Sequence, residues 1–331
     1  MTLSALGLPP VDAALEARLR ARLAEVEEEL ARSVASDVDF LTAAAKHLLE
    51  AGGKRFRPLL VVLASEFGDP GATGVVPAAL VVELTHLATL YHDDVMDEAS
   101  LRRGAESANA RWDNSVAILT GDFLFARASD IVSELGPDAV RIQSRTFSRL
   151  VQGQIRETVG PGRGEDPLEH YLSVVADKTG SLIATSARLG ALMAGVPPEL
   201  ATTLTEFGEQ IGTSFQLSDD IIDVTSESME LGKTPGTDLR EGVPTLPTLM
   251  ARQSHHPTDS RLLELLAGPI SDDSLHAEAL RLLRNNPAMT KARLEVSRRA
   301  DRARALLATV PDIPAREAMI GLCDLVTTRS S

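Results

Sequence analysis

Aromatic side chains are scarce in this chain: eight Phe, two Tyr and one Trp make up 3% of 331 residues. Any core must then be filled by Leu, Val and Ala, and a hydrophobic share of 44% supplies them. Cysteine is scarcer still. Cys323 stands alone, so no internal disulfide can form, which fits a reducing compartment. Cations are outnumbered, with 33 Lys plus Arg against 47 Asp plus Glu, a net charge of −14. That balance argues against non-specific nucleic-acid binding, because phosphates would be repelled; a phosphate substrate stays open where cations mediate. No run of about eighteen apolar residues is found, so no transmembrane segment is expected. The opening "MTLSALGLPPVDAALEARL" lacks a basic start followed by an apolar core, so no secretory signal is read. The expectation is a soluble, cytoplasmic protein.

What is present is helical periodicity. Leu15, Leu19, Leu23, Val26 and Leu30 recur at spacings of three and four, one face of an amphipathic helix. "VDFLTAAAKHLLEAGG" continues in kind and stops at Gly52 and Gly53. "VVPAALVVELTHLATLYHDDVMD" is apolar on nearly every side until its aspartates, which predicts a helix buried in a large core. No strand alternation is evident. The breakers at 68–74, 159–167 and 231–247 are too short for inter-domain linkers. The expected architecture is a single all-α domain over residues 1–331.

Two clusters of one shape stand out: Asp93, Asp94 and Asp97, and far downstream Asp219, Asp220 and Asp223. On a helix the first and last of each share a face, and like charges at that spacing repel by about 0.2–0.5 kcal/mol even when exposed. Both clusters end strongly apolar stretches, where the cost rises unless a cation neutralises it. Carboxylates without Cys or clustered His suit hard cations, and Mg²⁺ in particular, which bridges carboxylates to substrate phosphate. One such cluster alone is as readily an acidic helix terminus. Two copies on two helices are what a bundle needs to hold a metal cluster. Cations lie beside them in sequence: Lys54, Arg55 and Arg57 in "GGKRFRP", Arg102 and Arg103 after the first cluster, Lys178 in "DKTG" and Lys233 in a glycine-bearing loop. Carboxylates with Mg²⁺ plus Arg and Lys match a diphosphate. Any one of these cations by itself reads as a solvated surface charge.

These blocks, in this order and spacing, resemble the trans-isoprenyl diphosphate synthases, or polyprenyl synthetases, over nearly the whole chain. "GGKRFRP", "ELTHLATLYHDDVMDEASLRRG", "GDFLFARA", "DKTGSL", "FQLSDDIID" and "GKTPGTDLREGVPTLP" carry the likeness. It implies the all-α isoprenoid synthase bundle, mostly antiparallel helices around a central cavity, and a homodimer. It implies three Mg²⁺ ions, led by Asp93, Asp97 and Asp219, with Asp94, Asp220 and Asp223 completing the two motifs. The allylic diphosphate would meet Arg102, Lys178 and Lys233, and isopentenyl diphosphate would meet Lys54, Arg57, His86 and Arg103. Thr179 and Gln216 match positions near a developing cation, Asp238 an outer carboxylate, and Gln154 and Glu157 a Gln–acid pair. The chain departs from the family at Val243, where many members carry Lys, and at Phe56, where Leu is commoner.

The implied reaction is head-to-tail condensation by ionisation, attack and proton loss, with no histidine base, so His92 reads as structural. An HD-type phosphohydrolase is the competing reading of "HDD", but His255, His256 and His276 lack comparable acidic partners. A non-catalytic subunit would be expected to have lost motif residues, and a terpene cyclase usually lacks the "GGKRFRP" block. Product length is read from Ala88, five before Asp93, with Thr89 beside it and Thr85, Leu84 and Val81 deeper. None is aromatic, which favours a product of six or more isoprene units over a farnesyl or geranylgeranyl product. The opposing reading has Ala88 merely packed against another helix and Phe123 or Phe125 stopping the chain.

Overall fold

The computed structural model describes residues 12–226 and 235–329. In chain order they form α1 (Ala13–Ser33), α2 (Asp39–Glu50), α3 (Phe56–Ser65), α4 (Val75–Met96), β1 (Leu101–Arg102), β2 (Ala105–Glu106), α5 (Ala108–Arg111), α6 (Asn114–Glu134), α7 (Pro137–Val159), α8 (Pro167–Val175), α9 (Ser181–Met193), α10 (Pro198–Thr225), α11 (Thr237–Glu241), α12 (Leu246–Arg252), α13 (Ser260–Leu265), α14 (Asp273–Arg284), α15 (Pro287–Leu307) and α16 (Pro314–Arg329). The chain is all-α, as its periodicity predicts. Its described residues group into two compact units: 12–148, 182–208 and 306–321 in the first, and 149–181, 209–226, 235–305 and 322–329 in the second.

In the first unit, Asp12 caps α1 by accepting from the backbone N–H groups of Ala14 and Leu15 at 3.1 and 2.9 Å. The predicted stripe of Leu15, Leu19, Leu23, Val26 and Leu30 is buried throughout. Helix α4 lies along α6 and against α1 and α3. It is long and apolar enough to cross a membrane, contrary to the expectation that no such segment exists. The apolarity has a simpler physical cause, since 72% of its most apolar window is buried. Few aromatics are needed: Tyr91 and Phe207 are the largest fully buried side chains, and Leu does most of the filling.

The two-residue strands are the departure from the helical expectation. They pair antiparallel, with Arg102 opposite Ala105. Arg103 and Gly104 form the turn, at φ of 55° and 78°. Positive φ at both central positions is the primed turn that two-residue hairpins favour. The segment is too short to show any alternation in sequence.

The second unit has its own core, built from Leu217, Ile221 and Val224 of α10 with Leu239, Leu246, Leu262, Leu283 and Val296. Between α8 and α9 the helix widens into a π turn over Ala176–Gly180. π turns are frequent at functional sites, and this one contains Lys178 and Thr179.

Candidate active site

The first acidic motif occupies the last turn of α4. Asp93 is half-buried and Asp97 exposed, while Asp94 is fully buried. Spacing explains this: with neighbours one and three residues away, the middle aspartate must turn to the inner face of the helix. Arg102 Nε, brought back by the hairpin, donates to Asp94 Oδ1 at 2.5 Å, and Asp94 Oδ2 has no hydrogen-bond partner. Burial raises the pKa of Asp94, and the Arg102 charge opposes that rise.

The turn that aims Arg102 at Asp94 sends Arg103 elsewhere. Arg103 Nη1 donates to the carbonyls of Leu48 and Gly52. Gly53 makes room for it, since a Cβ there would lie 2.8 Å from Arg55 Nη1 and 3.0 Å from Arg103 Nη1. Arg57, Arg55, Arg102 and Arg103 all act on His86, which burial and these charges hold well below the usual imidazole range, so it is neutral at pH 7. Burial also pushes Arg57 down to about 10, against the pull of Glu83. Three of the four residues expected for isopentenyl diphosphate, Arg57, His86 and Arg103, are thus coupled in one cationic cluster, and Lys54 is exposed.

Two members of that cluster were not foreseen in their roles. Glu83 is 2% exposed and accepts from Arg55 Nη1 at 3.1 Å, while Arg55 Nε donates to Glu27 at 2.5 Å. Arg55 is therefore an internal ion-pair residue, and Glu83 the counter-charge. A lone Glu inside the apolar run "VVELTH" was the available signal.

The second motif occupies the last two turns of α10. Asp219 and Asp223 are half-buried, and Asp220 is 5% exposed. The middle aspartate again turns inward, but its partners are neutral. Tyr171 Oη donates to Asp220 Oδ2, Gln216 Nε2 donates to Oδ1 at 3.2 Å, and the Leu246 N–H reaches Oδ2 at 3.4 Å. Burial pushes Asp220 up to about 6, against these donors. Thr179 Oγ1 donates to Gln216 Oε1 at 3.3 Å, so Thr179, Gln216, Asp220 and Tyr171 form one chain of hydrogen bonds. Lys178 Nζ donates to Glu157 at 2.5 Å. The Asp238 N–H reaches Asp223 Oδ2 at 3.4 Å, and Val243 is exposed. Lys233 lies outside the described residues.

Of the product-length residues, Ala88 and Thr85 are buried, and Thr89 is half-buried with its hydroxyl on the His86 carbonyl. Thr85 Oγ1 donates to Val81 and accepts from Gln143 at 2.6 Å. Phe125 stacks on Phe147 with ring centroids 3.9 Å apart. His92 sits 3.2 Å from the Ile118 carbonyl and 3.3 Å from Asp122, a contact from α4 to α6 that fits a structural role.

The donor set suits a hard cation, because both motifs offer carboxylate oxygens only. Both also stand at helix C-termini, where the dipole makes negative charge unfavourable and a cation welcome. Among the described residues no three His, Cys, Asp or Glu side chains converge as a ready-made metal cage. Mg²⁺ does not need one, since it is held by one or two carboxylates with waters and substrate phosphate.

The comparisons point the same way. The Polyprenyl synthetase family model matches residues 38–283. Nonaprenyl diphosphate synthase of Mycobacterium tuberculosis is 50% identical over 319 residues, covering 96% of this chain and 95% of the relative. Dimethylallyltranstransferase of the same organism is 45% identical over 298 residues, covering 89% and 90%. A crystal structure of geranylgeranyl pyrophosphate synthase from Corynebacterium glutamicum, complexed with calcium and isoprenyl diphosphate, matches with a TM-score of 0.89 at 49% identity, covering 97% of this chain and 99% of that one. With both acidic motifs ending long helices of an all-α fold, the chain belongs to the polyprenyl synthetase family and is a prenyltransferase that makes a polyprenyl diphosphate.

Proposed function

We propose that the chain works as a single polyprenyl synthetase domain, a cytoplasmic homodimer that condenses isopentenyl diphosphate with an allylic diphosphate into an all-trans product of six or more isoprene units. The observation that carries this reading is the shared form of the two acidic motifs, a buried middle aspartate with accessible carboxylates on either side. Asp93, Asp97, Asp219 and Asp223 are the Mg²⁺ ligands in this reading, and Asp94 and Asp220 fix the helix ends that present them. Bound Mg²⁺, as three ions, supplies neutralisation of the leaving diphosphate. Arg102, Lys178 and Lys233 add charge-assisted hydrogen bonds to the same group. Lys54, Arg57, His86 and Arg103 hold the diphosphate of isopentenyl diphosphate. Thr179 and Gln216 present oxygens toward the allylic cation left when the carbon–oxygen bond breaks. The double bond of isopentenyl diphosphate then attacks that cation, and a proton passes to the released diphosphate. The exposed pair Ile118 and Leu119 on α6 gives a face for a second copy to cover.

Product length follows α4. Ala88, Thr85, Leu84 and Val81 run back along α4 from Asp93 as small and medium-sized buried side chains, none of them aromatic. At 1.5 Å rise per residue Leu80 lies about 20 Å from Asp93 along the helix. With no aromatic plug on that stretch, a growing tail can extend along it in this reading. The test is incubation with labelled isopentenyl diphosphate, an allylic primer and Mg²⁺, followed by chromatography of the dephosphorylated products. The native chain should give six or more units and Ala88→Phe shorter ones. A native product of three or four units, or a distribution unmoved by Ala88→Phe, would contradict the length assignment.

A further inference from the structure

Helix α16 brings Arg329 onto the second acidic motif. Arg329 Nη2 donates to Asp219 Oδ1 at 2.6 Å. Its guanidinium carbon lies 4.5 Å from the centroid of the Phe215 ring. Phe215 and Asp219 are four residues apart on α10, so they share a face one turn apart. One planar cation is thus held between an aromatic platform and a carboxylate on the same helix. Its Nη1 is buried and has no hydrogen-bond partner, so this ring and this carboxylate anchor the guanidinium.

An ordinary exposed ion pair is worth about 0–1 kcal/mol and tolerates loose geometry. This pair differs in two ways. The Arg329 side chain is 21% exposed, against 41% for Asp219, and the stacking on Phe215 fixes the plane of the fork. The carboxylate it holds is the first of three on the last two turns of α10, where Asp220 and Asp223 repel it. A cation at Asp219 offsets that repulsion and sets the rotamer in which the carboxylate meets a metal.

We propose that Arg329 is a positioning residue for the metal-binding carboxylate Asp219, oriented by its stack on Phe215. The proposal rests on the reading of Asp219 as a Mg²⁺ ligand. Groups that hold metal-ligating carboxylates in place typically carry 10–100-fold in metal affinity.

The test is Mn²⁺ binding to the full chain, followed by electron paramagnetic resonance of the free ion, with thermal unfolding in EDTA alongside. Arg329→Ala should weaken Mn²⁺ binding by about 10–100-fold and leave the melting temperature in EDTA nearly unchanged. Arg329→Lys should recover part of the affinity, since it keeps the charge and loses the planar stack. Native affinity in Arg329→Ala would overturn the proposal, and so would tighter binding, which would make Arg329 a competitor of the metal. Asp219→Asn separates the two levels. If it loses Mn²⁺ while Arg329→Ala keeps it, the positioning role alone fails; if Asp219→Asn binds as the native chain does, the metal reading beneath it fails as well.

Discussion

The two acidic motifs have one spelling and two solutions. Each buries its middle aspartate, because the i, i+1, i+4 spacing leaves that residue on the inner face of its helix. In the first unit Asp94 is answered by a full charge, Arg102, carried on a tight hairpin eight residues away. In the second unit Asp220 is answered by neutral donors, chiefly Tyr171 and Gln216, and its carboxyl is pushed up to about 6. A charged partner holds a buried carboxylate ionised, whereas neutral donors hold it while leaving it easily protonated. The motifs therefore differ in what would break them.

Removing the charged partner should have the larger effect. Arg102→Ala leaves a buried carboxylate uncompensated, a loss of about 3–5 kcal/mol at neutral pH. Tyr171→Phe removes one donor of several, at about 1–3 kcal/mol. Urea unfolding of both variants in EDTA checks the order, and an equal loss would erase the contrast. The cationic cluster of the first unit should respond in the opposite sense. Burial already disfavours the Arg57 charge, so Arg57→Ala should cost little stability while raising the KM for isopentenyl diphosphate, in line with about 1.5–3 kcal/mol for a lost charge-assisted hydrogen bond. Steady-state kinetics with each substrate varied in turn would show it, and an effect confined to the allylic substrate would overturn the assignment.

A pH dependence separates the motifs further. Asp220 binds its proton more tightly in the folded chain, at about 6, than at its ordinary 3.8. Its stabilising contribution is whole below about pH 4 and is lost as pH rises through 6. Asp220→Asn, which cannot ionise, should gain on the native chain over that window in EDTA, by roughly 2–3 kcal/mol. Melting curves from pH 4 to 7 are the check, and a constant difference would show that Asp220 titrates normally.

Much of this was legible before any coordinates, and the limit is one of distance along the chain. Local periodicity was enough for α1, with its five buried Leu and Val residues, and for α4, with its apolar sides and terminal aspartates. The motif residues Arg57, His86 and Arg103 were named and are coupled. The partners that complete the sites were not, because no periodicity links residues 28, 49 or 110 positions apart. Those separations join Arg55 to Glu27, Tyr171 to Asp220 and Arg329 to Asp219. The hairpin of Arg102 was hidden by its brevity, and the inward turn of Asp94 and Asp220 by their resemblance to their neighbours. The membrane-length apolarity of α4 was missed in the opposite way, since its acidic and histidine residues interrupt a simple apolar run.

The central claim divides the six aspartates into outer residues that act on the diphosphate and inner ones that hold the helix ends. Its most direct test is Mg²⁺-dependent turnover of labelled isopentenyl diphosphate by Asp93→Asn, Asp219→Asn, Asp94→Asn and Asp220→Asn at a temperature where all four stay folded. The two outer variants should lose roughly 10²–10³-fold or more in rate, the scale for removing a group that stabilises developing charge. The two inner variants should keep most of the turnover, with Asp94→Asn losing stability because the charge of Arg102 goes unanswered. Near-native rates in Asp93→Asn or Asp219→Asn, with turnover lost in the folded Asp94→Asn and Asp220→Asn, would contradict the account.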